Sequence, residues 1–295
     1  CERVDLEKVN RRALETLIRC GALDDLGPNR ATMMNSLTTA IQMADQHTKN
    51  AAAGMSDMFG FAAAVDVTEA QTEAQWAEMP EWDDKRRLTA EKESLGLYLS
   101  GHPIDMYRPE LKKFTTSRIA NLQSDKTLKV TVGGLLVGMR VIRTKRGSNI
   151  GILTIDDKSG KLDVTLFSEA LETHRDILKI DSVIVASGEV TLDDFSGGLR
   201  MQGKEIYDMD GARDHFSRRM IIRLTDEQIN NTTVQTMAST LQPYREGKCP
   251  VFVRYSTSKA QAGLRFGEEW RIKPTEDLLA ELKTLVGEDS IALEY

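Results

Sequence analysis

The stretch TLKVTVGGLLVGMRVIRT, residues 127 to 144, carries a strand signal and is interrupted by the pair Gly133 and Gly134. Strand periodicity of this kind places one face on a core, and glycines inside such a strand read as a bend of a barrel strand. Three further stretches continue the signal: SNIGILTIDDKSGKLDVTLF (148–167), DSVIVASGEVTLDD (181–194) and GGLRMQGKEIYDMD (197–210). The turn sequences KRGSN, DDKSGK and DDFSGG punctuate them. SEALETHRDIL (168–178) is a short helix between the third and fourth strands, with Ser168 as its N-cap. Three strands, a helix and two more strands is the order of an OB-fold, a five-stranded, partly open Greek-key barrel whose strand face and loops bind oligonucleotides.

Upstream of the barrel the period is helical. Leu6, Val9, Ala13, Leu14, Leu17 and Ile18 predict one helix stopped by Gly21, and Met33, Leu37, Ile41 and Ala44 a second after the turn at Pro28 and Asn29. Residues 51–84 lose periodicity and read as a mobile linker. Leu88, Leu95, Leu97 and Leu99 then predict a short helix ended by Gly101 and Pro103. Beyond residue 214, Thr225 and Gln228 form a capping box for a helix carrying Ile229, Val234, Met237 and Leu241. PVFVRYS, AGLRFG and Trp270 to Ile272 alternate like strands, and TEDLLAELKTLVG is a helix capped by Thr275 and stopped by Gly287. IALEY closes a small α+β domain. The expected division is a helical segment at 1–50, a linker at 51–84, a helical connector at 85–127, the barrel at 128–213 and an α+β domain at 214–295.

At 295 residues, with 40% hydrophobic and 28% charged side chains, the chain fits a multidomain α+β protein of ordinary globular composition. No apolar run approaches the roughly 18 residues of a membrane span, so no membrane partner is expected. Cys1, Cys20 and Cys249 are odd in number and lack metal or disulfide spacing, which fits a reducing cytoplasm. A first residue of Cys without a signal segment suggests the tail of something longer.

Catalytic constellations are missing. The four histidines are scattered, and the acidic pairs Asp156–Asp157 and Asp193–Asp194 adjoin hairpin glycines, where aspartate is a turn former rather than a Mg²⁺ ligand. The net charge of -6 conceals local fields. Residues 61–84 hold seven acidic residues and no Lys or Arg. Residues 128–161 hold Lys129, Arg140, Arg143, Lys145, Arg146, Lys158 and Lys161 against Asp156 and Asp157 alone, a local excess of five positive charges. Such a rim can track a nucleic-acid backbone. Phe167 and Phe195 are candidates for stacking on bases, with the core the favoured place for Phe167. Met58 and Phe59 stand in the linker without a local core. They read either as docking onto their own domain or as a short motif that fills a partner's pocket, each contributing about 1.5–3 kcal/mol before ordering costs.

Five blocks then carry a family resemblance: LETLIRCGALDDLGPNRATMMNSL, EKESLGLYLSGHPIDMY, TKRGSNIGILTIDDKSGKLDVTLFSEAL, GEVTLDDFSGGL and RFGEEWRI. In order and spacing they resemble the C-terminal part of the bacterial replicative DNA polymerase III alpha subunit, over essentially the whole chain. The resemblance implies the end of a helix-hairpin-helix region, a beta-clamp-binding segment, an OB domain for single-stranded template and a C-terminal domain that binds the tau subunit of the clamp loader. It aligns the internal clamp motif with Met55, Ser56, Asp57, Met58 and Phe59, where Met55 replaces the family's Gln and the apolar anchor pair is kept. It implies a DNA-directed DNA polymerase (nucleotidyltransferase) as parent, with Mg²⁺ at catalytic aspartates that map to no residue here. The implied partners are the clamp, tau, single-stranded or primed DNA and the proofreading exonuclease. The residues alone leave two other readings open: an OB-fold tRNA-binding region of an aminoacyl-tRNA synthetase, and a protein scaffold that binds no nucleic acid.

Overall fold

A computed structural model of the protein describes residues 4, 8–52, 76–123, 128–144, 147–193 and 197–295. The chain divides into two compact units, Cys1–His102 and Pro103–Tyr295.

In the first unit, α1 (Arg11–Arg19) is capped by Asn10, whose Oδ1 accepts from the Ala13 N–H at 3.0 Å, and ends where Gly21 turns at φ 79°. α2 (Arg30–Ala52) is capped by Asn29 at 2.8 Å from the Thr32 N–H. The two helices bury Ile18, Met33 and Leu37 between them. The expected linker does not run to residue 84. Met79 accepts from Asn29 Nδ2 (2.9 Å), its N–H donates to Thr32 Oγ1 (2.9 Å), and the Ala77 N–H donates to Ser36 Oγ (3.0 Å). The Glu81 carboxylate accepts from the Arg30 and Ala31 N–H groups and so closes the start of α2, while Trp82 is buried with Ala31 and Ala90. Polar side chains on one face of α2 supply the backbone partners, a relation across more than forty residues that local periodicity does not register.

α3 (Asp84–Leu95) is capped by Asp83 and ends at Gly96, which is left-handed at φ 75°. The expected stop at Gly101 is therefore displaced, and Leu95, Leu97 and Leu99 are exposed. The cause is Glu91. Its carboxylate is fully buried, is paired with Arg30 at 2.9 Å, and accepts from the Leu99 and Ser100 N–H groups at 2.8 and 2.9 Å, which folds the chain back after Gly96. Arg30 is also held by Asp24 at 2.7 Å.

The second unit contains β1 (Leu128–Arg143), β2 (Asn149–Asp156), β3 (Lys161–Leu166), β4 (Val183–Leu192) and β5 (Leu199–Asp208), closed in the order β1-β2-β3-β5-β4. This is the OB-fold expected from the sequence. β1 pairs with β4 through residues 128–135 and with β2 through residues 135–143. At the bend a Cβ on Gly133 would lie 2.6 Å from Leu111 of α4 (Arg108–Leu111), and one on Gly134 would lie 3.1 Å from the Asp156 carbonyl. Leu136, Leu153, Ile155, Leu162, Val164, Ile184 and Met201 fill the interior. α5 (Ser168–Thr173) closes one end. Ser168 is its first residue rather than its cap, because its hydroxyl donates instead to the Asn149 carbonyl at 2.7 Å. Asp157 behaves as a turn former, accepting from the N–H groups of Ser159, Gly160 and Ile119.

After α6 (Met209–Phe216) a second sheet runs β10-β6-β8-β9, from β6 (Arg219–Thr225), β8 (Val251–Ser256), β9 (Gln261–Arg265) and β10 (Ile291–Glu294), beside the short β7 (Arg245–Cys249). β6 and β8 are parallel, joined through α7 (Asn231–Leu241), and α8 (Glu276–Val286) precedes β10. Met220, Ile222, Leu224, Val251 and Val253 meet Met237, Leu241, Leu278, Leu282 and Val286 in one core. The Thr225–Gln228 capping box forms, but on a single 3₁₀ turn at Asp226–Gln228; Asn230 caps α7. Trp270 closes another such turn, and Ile272 makes only isolated bridges to Arg245 and Cys249. Barrel and second sheet meet at Arg213, 4% exposed, whose fork holds Glu110 at 2.8 and 2.9 Å while Nη1 holds Asp210 at 2.9 Å. Tyr295 donates to the same Glu110, and Asp210 accepts from the Glu276 N–H at 2.9 Å. Among the described residues no helix is long and apolar enough to cross a membrane.

Burial alone raises the Glu91 carboxyl; the Ser100 and Leu99 N–H groups, the Ser100 hydroxyl and Arg30 outweigh it and hold the group down at about 2, from an ordinary 4.5. A folded pKa below the unfolded one gives stability that is complete above 4.5 and lost as pH falls toward 2. Glu91→Gln is expected to cost about 3 kcal/mol at neutral pH by leaving Arg30 without its buried partner. Urea unfolding of parent and variant across that acid window checks it: the gap between them narrows as pH falls.

Candidate nucleic-acid interface

Strand register decides which predicted cations share a face. Leu136, Ile155 and Leu162 are mutual neighbours and point inward, so the alternate residues point outward. The outward rows are Gly138–Thr154–Asp163 and Arg140–Ile152–Thr165. The parallel β3–β5 register adds Arg200 beside Asp163 and Gln202 beside Thr165. Toward the β1–β2 turn Ile142 lies opposite Ile150, and continuing the β2–β3 register by one residue sets Phe167 on the same row. This face therefore carries two guanidinium groups at its centre and an apolar margin of Ile142, Ile150 and Phe167.

Its electrostatics are partly offset from within. Arg140 Nη2 lies 3.8 Å from Asp163 Oδ2 and remains 65% exposed; Arg200 Nη1 lies 3.4 Å from Asp193. Thr154 Oγ1 donates to Asp163 Oδ1 at 2.7 Å and fixes that carboxylate between the two arginines. On the same face the Thr165 hydroxyl is buried without a hydrogen-bond partner among the described residues. The exposed, long Arg140–Asp163 pair is weak, worth about 0–1 kcal/mol, so Arg140 can exchange its carboxylate for a phosphate at little cost, while Arg200 keeps the mostly buried Asp193 and offers its remaining donors.

The basic cluster of the sequence is dispersed by the fold. Arg143 is three residues from Arg140 on one strand and so points to the opposite side. Lys158 lies in the β2–β3 turn and Lys161 opens β3 on the outward row two residues before Asp163, both on the order of 20 Å along β2 from the β1–β2 turn, and Lys158 Nζ is bound to Asp105 at 2.9 Å. Lys145, Arg146 and Phe195, and the motif Met55, Ser56, Asp57, Met58 and Phe59, lie outside the described residues. Phe167 is 49% exposed rather than in the core, because it follows the last strand residue and precedes α5 on the outer side. Arg200 escaped the sequence reading because it lies beyond the basic window; the alternation in LRMQGKE, with Met201 fully buried, is the signal that points it outward.

Residues 130–209 match a family model described as an OB-fold nucleic acid binding domain, residues 236–287 one described as the C-terminal domain of DNA polymerase III subunit alpha, and residues 1–33 one described as a helix-hairpin-helix motif. The chain is 45% identical to DNA polymerase III subunit alpha of Vibrio cholerae and 43% identical to that of Escherichia coli K12, in each case over 100% of this chain. It spans 25% of the length of these curated relatives. Among solved structures, a domain of replication protein A from Methanococcus maripaludis aligns with 32% of this chain and 93% of its own at 20% identity and a TM-score of 0.27, a likeness that carries no functional argument.

Asp163 opposes any polyanion on this face. Asp163→Asn is expected to tighten binding of labelled oligothymidylate by roughly threefold to tenfold at low salt, an effect that fades as salt rises. Fluorescence anisotropy at two salt concentrations measures it.

Proposed function

We propose that this chain, which belongs to the DNA polymerase III subunit alpha family and corresponds to its C-terminal region, holds single-stranded template on the outer face of its barrel and tethers a replicative polymerase to its accessory proteins. The observation that carries the reading is the open barrel face on which Arg140 and Arg200 stand beside Ile142, Ile150 and Phe167. Guanidinium forks bind phosphate oxygens in pairs, and an exposed ring stacks on any base, so the two together retain a strand without reading its sequence.

In this reading residues 55–59 engage the beta sliding clamp through Met58 and Phe59, and residues 214–295 engage the tau subunit. Clamp binding makes return to the primer end an intramolecular event and raises its effective concentration without new contacts at the reacting atoms. The proofreading exonuclease is a further candidate partner. Template-directed phosphoryl transfer, with its Mg²⁺, is the activity proposed for the parent polymerase, and this region contributes retention.

Titration with labelled oligothymidylate tests the barrel. Arg140→Ala combined with Arg200→Ala is expected to weaken binding about tenfold and to reduce the salt slope by about 1.4, the value for two lost phosphate contacts on a single strand. Lys158→Ala, whose charge is already held by Asp105, is expected to change neither. Equal losses in all variants, or none in the double variant, would remove the strand from this face.

A separate measurement addresses the tether. Met58→Ala with Phe59→Ala is expected to abolish binding to an immobilised beta clamp while the melting temperature stays at the parent value. A fall in melting temperature with clamp binding retained would instead assign the pair to the chain's own core.

A further inference from the structure

The second sheet has one face packed against α7 and α8, while the other buries Ile221 and, farther along the strands, is exposed and cationic at Arg223 and Arg254. Since Met220, Ile222, Leu224, Val251 and Val253 enter the core against α7 and α8, the alternate residues of β6 and β8 face away from it. They are Arg219, Ile221, Arg223 and Thr225 on β6, and Phe252, Arg254 and Ser256 on β8. The β8–β9 register adds Arg265 beside Phe252, Gly263 beside Arg254 and Gln261 beside Ser256.

The four arginines are not equivalent. Arg219 is paired with Glu294 at 2.6 Å and Arg265 with Glu268 at 2.5 Å, and their guanidinium groups flank the Phe252 ring at 5.3 and 5.9 Å. Arg223 and Arg254 stand directly opposite each other on neighbouring parallel strands, both exposed. Neither meets a carboxylate among the described residues. Arg223 donates to the Asp289 carbonyl at 3.2 Å, and the Arg254 side chain makes no hydrogen bond or ion pair among the described residues. Like charges side by side on adjacent strands are destabilising, and strands lie only about 4.8 Å apart. Gly263, next in the row, leaves open space above β9: a Cβ there would meet nothing within 4 Å.

We propose that this open face is a second binding surface for single-stranded DNA, with Arg223 and Arg254 sharing a backbone phosphate and Phe252 serving as a platform for a base. An anion bridging the two guanidinium groups removes their repulsion and uses the planar fork of each. In the adjoining row the Thr225 hydroxyl is held by Gln228, while the Ser256 hydroxyl and the Gln261 amide supply neutral donors for the next phosphate. The partly exposed ring between two guanidinium groups favours a nucleobase over an acidic peptide, which has carboxylates for the arginines but no π-face for Phe252. The surface is separate from the barrel and stands whether or not the barrel binds DNA.

The test is equilibrium titration of the full chain with labelled oligothymidylate over a range of salt. Arg223→Ala with Arg254→Ala is made in the parent chain and in the Arg140→Ala, Arg200→Ala background. The expected result is a loss of about tenfold in affinity and a salt slope smaller by about 0.7, the value for one shared phosphate on a single strand, in both backgrounds, with Phe252→Leu weakening binding at unchanged slope. Unchanged affinity and slope in both backgrounds would overturn the proposal. So would retained oligonucleotide binding with loss of binding to a labelled polyglutamate peptide, which would assign the face to an acidic protein segment. Circular dichroism melting of each variant confirms that the sheet is intact.

Discussion

The second unit depends on one strand serving two neighbours. β1 is 16 residues long, pairs with β4 in its first half and with β2 in its second, and turns between them where Gly133 and Gly134 admit Leu111 and the Asp156 backbone. Side chains at those positions would press on Leu111 and on the Asp156 backbone where the strand passes from one neighbour to the other. Closure fixes which way every later residue points. It sends Leu136 inward and Arg140 outward, and it sets β5 beside β3 so that Arg200 stands in register with Asp163.

Arginine shows how environment sorts one residue type into different work. Arg213 is buried and fully met by Glu110 and Asp210, so it joins the barrel to the second sheet. Arg30 does the same in the first unit between Asp24 and Glu91. A buried pair of this kind is costly to break rather than strongly stabilising to make, and its value is the unique arrangement it enforces. Arg140 and Arg200 are each paired with one carboxylate and partly exposed, and Arg223 and Arg254 meet no carboxylate among the described residues. The gradation from matched to unmatched charge separates structural arginines from those free to meet an anion, in a chain whose net charge is -6.

Much of the fold was legible because local rules and tertiary packing agree. Strand signals, the turn sequences KRGSN, DDKSGK and DDFSGG and the helix between the third and fourth strands sufficed for the barrel order. Thr275 started a helix, and Gly21 and Gly287 stopped helices, where expected. The failures have a common origin. Residues 76–82 look like linker because what orders them is the polar face of α2, and α3 stops at Gly96 because Glu91 captures the Leu99 and Ser100 amides. Thr225 and Gln228 do form their box, yet Ile229 leaves the helical region and the next helix needs its own cap at Asn230.

The sequence by itself determined the barrel, the division of helices and strands and the family, because hydrophobic period, turn residues and motif order are properties of neighbours in the chain. It also showed that positive charge gathers around residues 128–161. Only the tertiary structure decided which of those charges act together. A strand turns successive side chains to opposite faces and a hairpin carries the next ones to the far end. Arg140 thus lost Arg143 and Lys158 as companions and gained Arg200, a residue sixty positions away that a single parallel pairing brings to the same face.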